Sequence, residues 1–232
     1  MRVLKFGGTS VRNSHWIDKT LDIAEEQLSH ALILVSSAMG KTTNKLQEIA
    51  CTAEKGNHAD SEKMIEELKA SHVGAAKELL QGPISGNCVD SLCSLFSELG
   101  SVVKGLALLR ERTRRSNDLI LSFGERLATI LIVSRARQRG MDATLLDARN
   151  FIKTDENFAE ASPLGELTFG SSWRRRQGSP DVSWTQGVTV SLASGCRLNS
   201  ISKERFTIPF IVPFPGKTGD SVSLASRLVH VL

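Results

Sequence analysis

RVLKFGGTS at residues 2–10, a helical pattern after it and ALILVS at residues 31–36 together indicate the fold. Both short apolar runs read as buried strands, and the Gly7-Gly8 pair marks a turn. Apolar residues recur at helical spacing from Ser14 to about Leu28. A strand, a glycine turn, a helix and a second strand form a βαβ unit. This unit predicts two parallel strands joined by a right-handed crossover.

Helical periodicity continues beyond the second strand. It predicts an α/β protein with helices over residues 42–55, 60–81, 89–112 and 117–139, and with a third short strand over residues 143–146. GPISG at residues 82–86 reads as a turn between two of the helices. The helical region of about 60–112 is predicted to be an insertion outside the sheet.

The last third of the chain has a different composition. Residues 166–232 carry eight Lys/Arg and four Asp/Glu, and hence the whole net charge of +4. They also hold eleven serines and four of the six prolines, and VTVSLAS and FTIPFIV are their only strand-like runs. Proline interrupts central strands, so this segment is not expected to continue the sheet. The predicted division is 1–165 as an N-terminal lobe and 166–232 as a divergent, poorly folded tail.

Several protein classes are disfavoured by composition. We expect no apolar run long enough to cross a membrane, and the first residues leave no room for the apolar core of a secretory signal. The four cysteines show neither a CxxC pair nor a zinc spacing, so reduced thiols and no metal cluster are expected. The basic cluster Arg174–Arg176 is too short to indicate nucleic-acid binding. The prediction is a cytoplasmic protein that binds neither membrane nor nucleic acid.

The strongest chemical signal is KFGGTSV at residues 5–11. Two glycines after a buried strand let backbone N–H groups approach an anion closely. Thr9 and Ser10 add hydroxyl donors, and Lys5 at the strand end can neutralise phosphate charge. The helix that follows directs its N-terminus to the same place. For the Gly7-Gly8 pair taken alone, a plain turn is the alternative.

A second signal, SSAMGKTTN at residues 36–44, follows the second strand. Its small and hydroxyl side chains suit a small polar ligand, and a Ser/Thr cap on the next helix is the alternative. Gly40-Lys41-Thr42 and Gly216-Lys217-Thr218 do not complete a phosphate-binding P-loop. The glycine that this pattern requires is replaced by Val35 in the first and by Ile211 in the second.

Two further signals lie near the middle of the chain. LSFGERL at residues 121–127 offers Glu125, whose carboxylate can bind an α-ammonium group by a charge-assisted hydrogen bond. The alternative for Glu125 is a surface pair on the helix, with Thr129 one turn away or with neighbours of Arg126. LDARNFIKTD at residues 146–155 comes next, and a structural role near the substrate is implied for it only by the family resemblance that these motifs carry.

These four motifs, in this order, resemble those of aspartokinases, which belong to the amino acid kinase superfamily. The resemblance covers about residues 1–165 and implies a three-layer α/β/α fold with a largely parallel sheet. It implies that ATP phosphates contact Lys5, Gly7, Gly8, Thr9 and Ser10, with Lys5 also catalytic. It further implies that the aspartate substrate contacts Ser37, Thr43 and Glu125.

The activity implied by the resemblance is ATP-dependent phosphorylation of the L-aspartate side-chain carboxylate to 4-phospho-L-aspartate. This reaction is the first step towards lysine, threonine and methionine. ATP would carry Mg²⁺, and a homo-oligomer is expected. A glutamate kinase fits the four motifs less well.

The sequence departs from the family after about residue 165. The family's T-T-L-G-R-G-G-S-D segment has only GKTGDS at residues 216–221 as a counterpart, with Lys217 and Asp220 as secondary site candidates. Lysine does not replace arginine at a bidentate carboxylate site. A base-binding segment and regulatory ACT domains are not found. A changed reading frame and an ordinary divergent domain both explain this tail. The alternative function is a truncated, inactive relative that acts as a non-enzymatic partner or is a relic.

Overall fold

A computed structural model describes residues 2–29, 32–150, 152–162 and 164, together with the backbone of residues 188–192. The strands are β1 (Arg2–Phe6), β2 (Leu32–Ser36), β3 (Ala143–Leu146) and β4 (Val188–Leu192). The helices are α1 (Ser14–Glu25), α2 (Thr42–Glu54), α3 (His58–Leu79), α4 (Gly82–Leu109) and α5 (Arg114–Gln138), and a short 3₁₀ turn follows β3 at Ala148–Asn150.

The four described strands form one parallel sheet in the order β1-β2-β4-β3. Arg2 pairs with Leu32 and Phe6 with Ser36, which confirms the βαβ unit predicted from the first residues. The carboxyl ends of β1 and β2 therefore lie side by side, where ligands bind in open α/β sheets.

Strand β4 belongs to the segment that composition had separated from the sheet. The expectation that residues 166–232 do not continue the sheet is wrong for Val188–Leu192, which pairs with β2 on one side and β3 on the other. The strand-like reading of VTVSL is confirmed. The prolines that argued against a central strand begin at Pro209, outside β4, and so leave its backbone N–H groups free to pair.

The helices cover one face of β1 and β2. Leu4 and Phe6 of β1 and Leu32 and Leu34 of β2 join a buried core built mostly from the five helices. In β1 the alternate residues are exposed, as the period of two in a strand requires. Lys5 is one of them, so its side chain is free of the core.

Helix α4 differs from its prediction in two ways. The segment GPISG is its first turn and not a separate turn, because Pro83 lies where a missing N–H costs no helical hydrogen bond. By length and composition the helix is also apolar enough to cross a membrane, contrary to the sequence expectation. A third of that apolar stretch is buried within the protein. Its buried face includes Cys88, Leu92, Phe96, Leu99 and Val103.

Ion pairs join α1 to the last turns of α5. The Arg135 guanidinium donates to both carboxylate oxygens of Asp18, at 2.7 and 3.1 Å, and to the carbonyl of Leu79 at 2.9 Å. Arg139 donates to Asp22 at 2.8 Å. Two arginines one helical turn apart thus fix α1 and the end of α3 against α5.

Candidate active site

The loops after β1 and β2 are in direct contact. The backbone N–H of Ser37 donates to the carbonyl of Phe6 at 3.0 Å, and that of Gly40 donates to the carbonyl of Gly8 at 3.3 Å. A Cβ at Gly8 would lie 3.0 Å from the Ala38 carbonyl oxygen, so this position accepts only glycine without a shift. The first and second sequence motifs therefore form one surface at the carboxyl edge of the sheet.

Gly40 fixes the shape of the second loop. Its φ of 55° lies in the left-handed region, and a Cβ there would lie 3.2 Å from the Arg12 carbonyl oxygen. Both conditions favour glycine. The chain can therefore turn from β2 into α2 while it stays packed on the loop after β1.

Lys5 lies over the glycine turn. Its Nζ is 4.0 Å from the position that a Cβ would take at Gly7, and its side chain is exposed. The turn closes with a hydrogen bond from the Ser10 N–H to the Gly7 carbonyl at 2.9 Å, and Thr9 is exposed. The structure brings together every residue that the resemblance assigns to the ATP phosphates.

The two helix N-termini at this edge differ in their capping. In α1 the Asn13 side chain accepts a hydrogen bond from the Trp16 N–H at 3.1 Å. In α2 the capping position is Lys41, whose side chain makes no capping hydrogen bond. The Thr42 hydroxyl donates to the Met39 carbonyl at 2.6 Å instead. The interpretation of this motif as a Ser/Thr cap is therefore wrong. The Thr42 N–H donates to the Met39 carbonyl at 3.1 Å, and the N–H groups that follow it in the first turn of α2 can face an anion.

Helix α5 approaches the second loop at Gly124. A Cβ there would lie 2.8 Å from the Ala38 Cβ and 3.4 Å from the Leu46 Cδ1. Real Cβ atoms do not approach so closely, so glycine is needed for this contact. The third sequence motif is thereby joined to the second.

Glu125 follows this contact and has the most perturbed carboxyl group in the site. Burial raises its pKa from an ordinary 4.5 to about 7, and hydrogen bonds from its own N–H and that of Ala38 offset part of the effect. The hydroxyl of Thr129 donates to the Glu125 backbone carbonyl at 2.6 Å and does not pair with its carboxylate. The alternative of a surface pair between Glu125 and Thr129 is therefore wrong.

The remaining candidates lie on the same loop or beyond the described residues. Ser37 is half-buried and directly precedes Ala38, whose N–H lowers the pKa of Glu125. Thr43 is half-buried in the first turn of α2. Lys217 and Asp220 lie outside the described residues.

An ion pair next to Glu125 was missed by the sequence reasoning. Arg126 donates to both carboxylate oxygens of Glu98 on α4, at 3.0 and 2.7 Å, and its guanidinium carbon lies 4.5 Å from the centre of the Phe123 ring. Arg149 and Asp147, which follow β3, form a second ion pair nearby, in which the Arg149 guanidinium donates to the Asp147 carboxylate. Hydrogen bonds from the arginines lower the pKa values of Glu98 and Asp147. No local pattern links Glu98 to Arg126, because 28 residues separate them.

The fourth motif leads into a loop that returns to α5. The Asp118 carboxylate accepts a hydrogen bond from the Ala159 N–H at 2.6 Å. Asp155 accepts from the N–H groups of Asn157 and Ser162, both at 3.1 Å, which closes the loop on itself. The segment after β3 is therefore anchored beside the helix that carries Glu125.

This fold and these motifs define a class of protein. The chain belongs to the amino acid kinase family, which matches residues 1–181. The match passes residue 165, where the loss of motifs had suggested that the resemblance stops.

The relatives that it matches are aspartokinases, which confirms the predicted resemblance. Aspartokinase 1, chloroplastic, of Arabidopsis thaliana is 28% identical over 83% of this chain and 36% of its own length. Lysine-sensitive aspartokinase 3 of Escherichia coli is 28% identical over 69% of this chain and 34% of its own. The chain thus spans about a third of the length of these relatives.

Solved structures confirm the predicted fold class. Escherichia coli aspartokinase III in complex with lysine and aspartate superposes with a TM-score of 0.68 at 22% identity, over 82% of this chain and 40% of that one. The same enzyme in complex with aspartate and ADP gives 0.67 at 23% identity.

Proposed function

We propose that this chain is the N-terminal catalytic part of an aspartate kinase, which transfers the γ-phosphoryl group of ATP to the side-chain carboxylate of L-aspartate. The observation that carries the proposal is the meeting of three motifs at one edge of the sheet. A glycine turn with Lys5, a helix N-terminus without a side-chain cap and the half-buried Glu125 lie on touching segments. The relatives of this chain are aspartokinases.

The residues around the glycine turn suit nucleotide phosphates. The backbone near Gly7 and Gly8 can approach phosphate oxygens closely, and the first N–H groups of α2 favour negative charge. The exposed Lys5 ammonium adds a cation on a flexible side chain that can stay close to the phosphoryl group during its transfer. Among the described residues no three His, Cys, Asp or Glu side chains are grouped as metal ligands. Magnesium would therefore be held mainly by the phosphates themselves and would neutralise their charge.

Glu125 suits the α-ammonium of the amino acid. The Ala38 N–H, on the loop that also contains Ser37, favours the ionised form of its carboxylate. An incoming ammonium favours the ionised carboxylate and would lower the raised pKa. The side-chain carboxylate of aspartate is itself the nucleophile, so these residues position and neutralise charge and do not remove a proton.

Wider properties follow from the same proposal. The reaction would supply the lysine, threonine and methionine pathways, and the chain would work in the cytoplasm as a homo-oligomer. The relatives include both bacterial and chloroplastic proteins.

The test is calorimetry of the purified chain with Mg·ATP and with L-aspartate, each alone and together. We expect ATP binding that Lys5→Met weakens about tenfold, since one charge-assisted contact contributes about 1.5 kcal/mol. Lys77→Met, an exposed lysine on α3, is the matched control. Formation of an acyl phosphate, trapped with hydroxylamine, tests turnover. Failure of the folded chain to bind ATP would refute kinase activity for this chain, and aspartate binding alone would favour the non-enzymatic alternative.

A further inference from the structure

We propose that a cavity between the α2–α3 and α4–α5 turns binds a small soluble anion that carries a phosphate group. We call it the turn cavity. It has a volume of about 310 Å³ and is lined by Gly56, His58, Lys104, Ala107, Leu108 and Arg110. The inference is independent of the proposed kinase activity, because no residue of the candidate active site lines this cavity.

The charged side chains that line the turn cavity are positive. Lys104 and Arg110 are exposed, and neither forms an ion pair within the part of the chain that the structure describes. The carboxylate of Glu54, at the end of α2, is bound by Arg112 at 3.0 Å and is therefore not the partner of Arg110. Among the described residues that line the cavity, none is acidic. Two unpaired cations therefore face one space, and their charge favours an anion as the ligand.

The backbone holds the Arg110 guanidinium beside this space. Arg110 ends α4 with a φ of 51°, in the left-handed region that few residues other than glycine adopt. Its Nε and Cζ lie 2.8 and 3.2 Å from the position that a Cβ would take at Gly56, so a side chain there would displace the guanidinium. Glycine is the usual residue at such a helix end, because the cap itself needs no charged side chain. Residues in strained conformations cluster at ligand sites, and here the strain places a cation that has no ion-pair partner among the described residues.

Helix α3 adds to the positive potential of the turn cavity. Its first residue, His58, lines the cavity, and the Asn57 side chain makes no capping hydrogen bond. The dipole of α3 therefore also favours an anion at this end. The nearby acids Asp60 and Glu62 do not line the cavity, and the Glu62 carboxylate comes only within 3.8 Å of the His58 Nδ1. The positive charge of the cavity is therefore only weakly offset.

A phosphate group fits these contacts better than other ligands. The planar guanidinium of Arg110 can bind two phosphate oxygens at once, and Lys104 adds a compact charge. The cavity volume is at the small end of the range for ligand sites, which suits pyrophosphate or a small phosphorylated compound. Nucleic acid would need a longer basic surface. An anionic lipid headgroup offers the same chemistry, but a membrane would bring Glu62 and Glu66, which line the neighbouring cavity, against its negative surface.

Titration of the ¹⁵N-labelled full chain with inorganic pyrophosphate at constant ionic strength tests the site, with the amide resonance of Gly56 as a local probe. We expect a saturable shift of this resonance. Lys104→Met and Arg110→Met should each weaken the affinity about tenfold, because each removes one charge-assisted contact. Lys63→Met, an exposed substitution on α3 outside the cavity, removes the same charge and is the matched control, which should bind like the unaltered chain. Arg110→Lys should lose less affinity than Arg110→Met, because it keeps the charge but not the planar fork.

Two further arms separate this cavity from the candidate active site and from a membrane. Lys5→Met should leave the Gly56 shift unchanged, and a chain that shows the shift but does not bind ATP would refute the kinase proposal alone. The unaltered chain should not bind phosphatidylserine vesicles, and vesicle binding that persists in excess pyrophosphate would overturn the anion site in favour of a membrane contact. An absent or non-saturating Gly56 shift would also overturn it. Equal losses of affinity in Lys63→Met and Lys104→Met would overturn it too, because they would indicate attraction by net charge alone.

Discussion

The stability advantage of a Glu125→Gln variant over the unaltered chain should increase as the pH rises. Burial raises the pKa of this carboxyl from 4.5 to about 7, so folding favours its protonated form. Between these pH values the folded protein binds more protons than the unfolded chain, and its stability falls as the pH increases. Glutamine does not ionise and removes this loss.

The size of the effect follows from the two pKa values. At about 1.4 kcal/mol per pKa unit, proton linkage lowers the free energy of unfolding by about 2.5 kcal/mol between pH 5 and pH 8. The stability difference between Glu125→Gln and the unaltered chain should rise by that amount over the same range. The free energies of unfolding of the two proteins should also differ by a pH-independent amount of about 1 kcal/mol, because glutamine adds amide hydrogens.

Chemical denaturation at several pH values measures this difference, and calorimetry with L-aspartate measures binding in the same samples. Because the unaltered chain is the reference at each pH, contributions from other titrating groups cancel. Glu67→Gln, on the exposed face of α3, is the control and should give a flat difference. A flat difference for Glu125→Gln as well would show that this carboxyl is solvated and would refute the reasoning. Aspartate affinity should increase with pH through about 7 in the unaltered chain and be lost in the variant.

Three further substitutions test the packing around the site. Gly124→Ala should destabilise the protein by about 2 kcal/mol, because the new Cβ meets Ala38 at 2.8 Å. Gly105→Ala, on α4 with nothing within 4 Å, is the control and should stabilise the protein slightly. Equal effects of the two substitutions in denaturation would contradict the contact between Gly124 and Ala38. Glu98→Ala should cost about 2 kcal/mol by leaving the Arg126 guanidinium unpaired, and a smaller loss with Glu98→Gln is the check. His72→Leu should abolish the loss of stability that the chain shows as the pH falls below about 6.5, because burial lowers the pKa of this imidazole and its Nε2 has no hydrogen-bond partner in the described residues. An unchanged pH profile would argue against this.

Local sequence determined the first βαβ unit and the motifs at its carboxyl edge. The predicted β1, α1 and β2 agree with the structure because their signals, an apolar run, a glycine pair and a helical period, act between residues close in the chain. Lys5 and the glycine turn occupy the predicted end of β1 for the same reason. The resemblance to aspartokinases rests on these local patterns.

Only the tertiary structure decided the environment of Glu125 and the course of the last strand. The raised pKa of Glu125 depends on its burial in the folded chain, and the contact of Gly124 with Ala38, 86 positions away in the sequence, depends on the packing of α5 on a loop. Strand β4 lies between β2 and β3, a place that depends on hydrogen bonding by neighbours distant in sequence. Composition predicts none of these long-range contacts, because burial and strand pairing are properties of the folded chain.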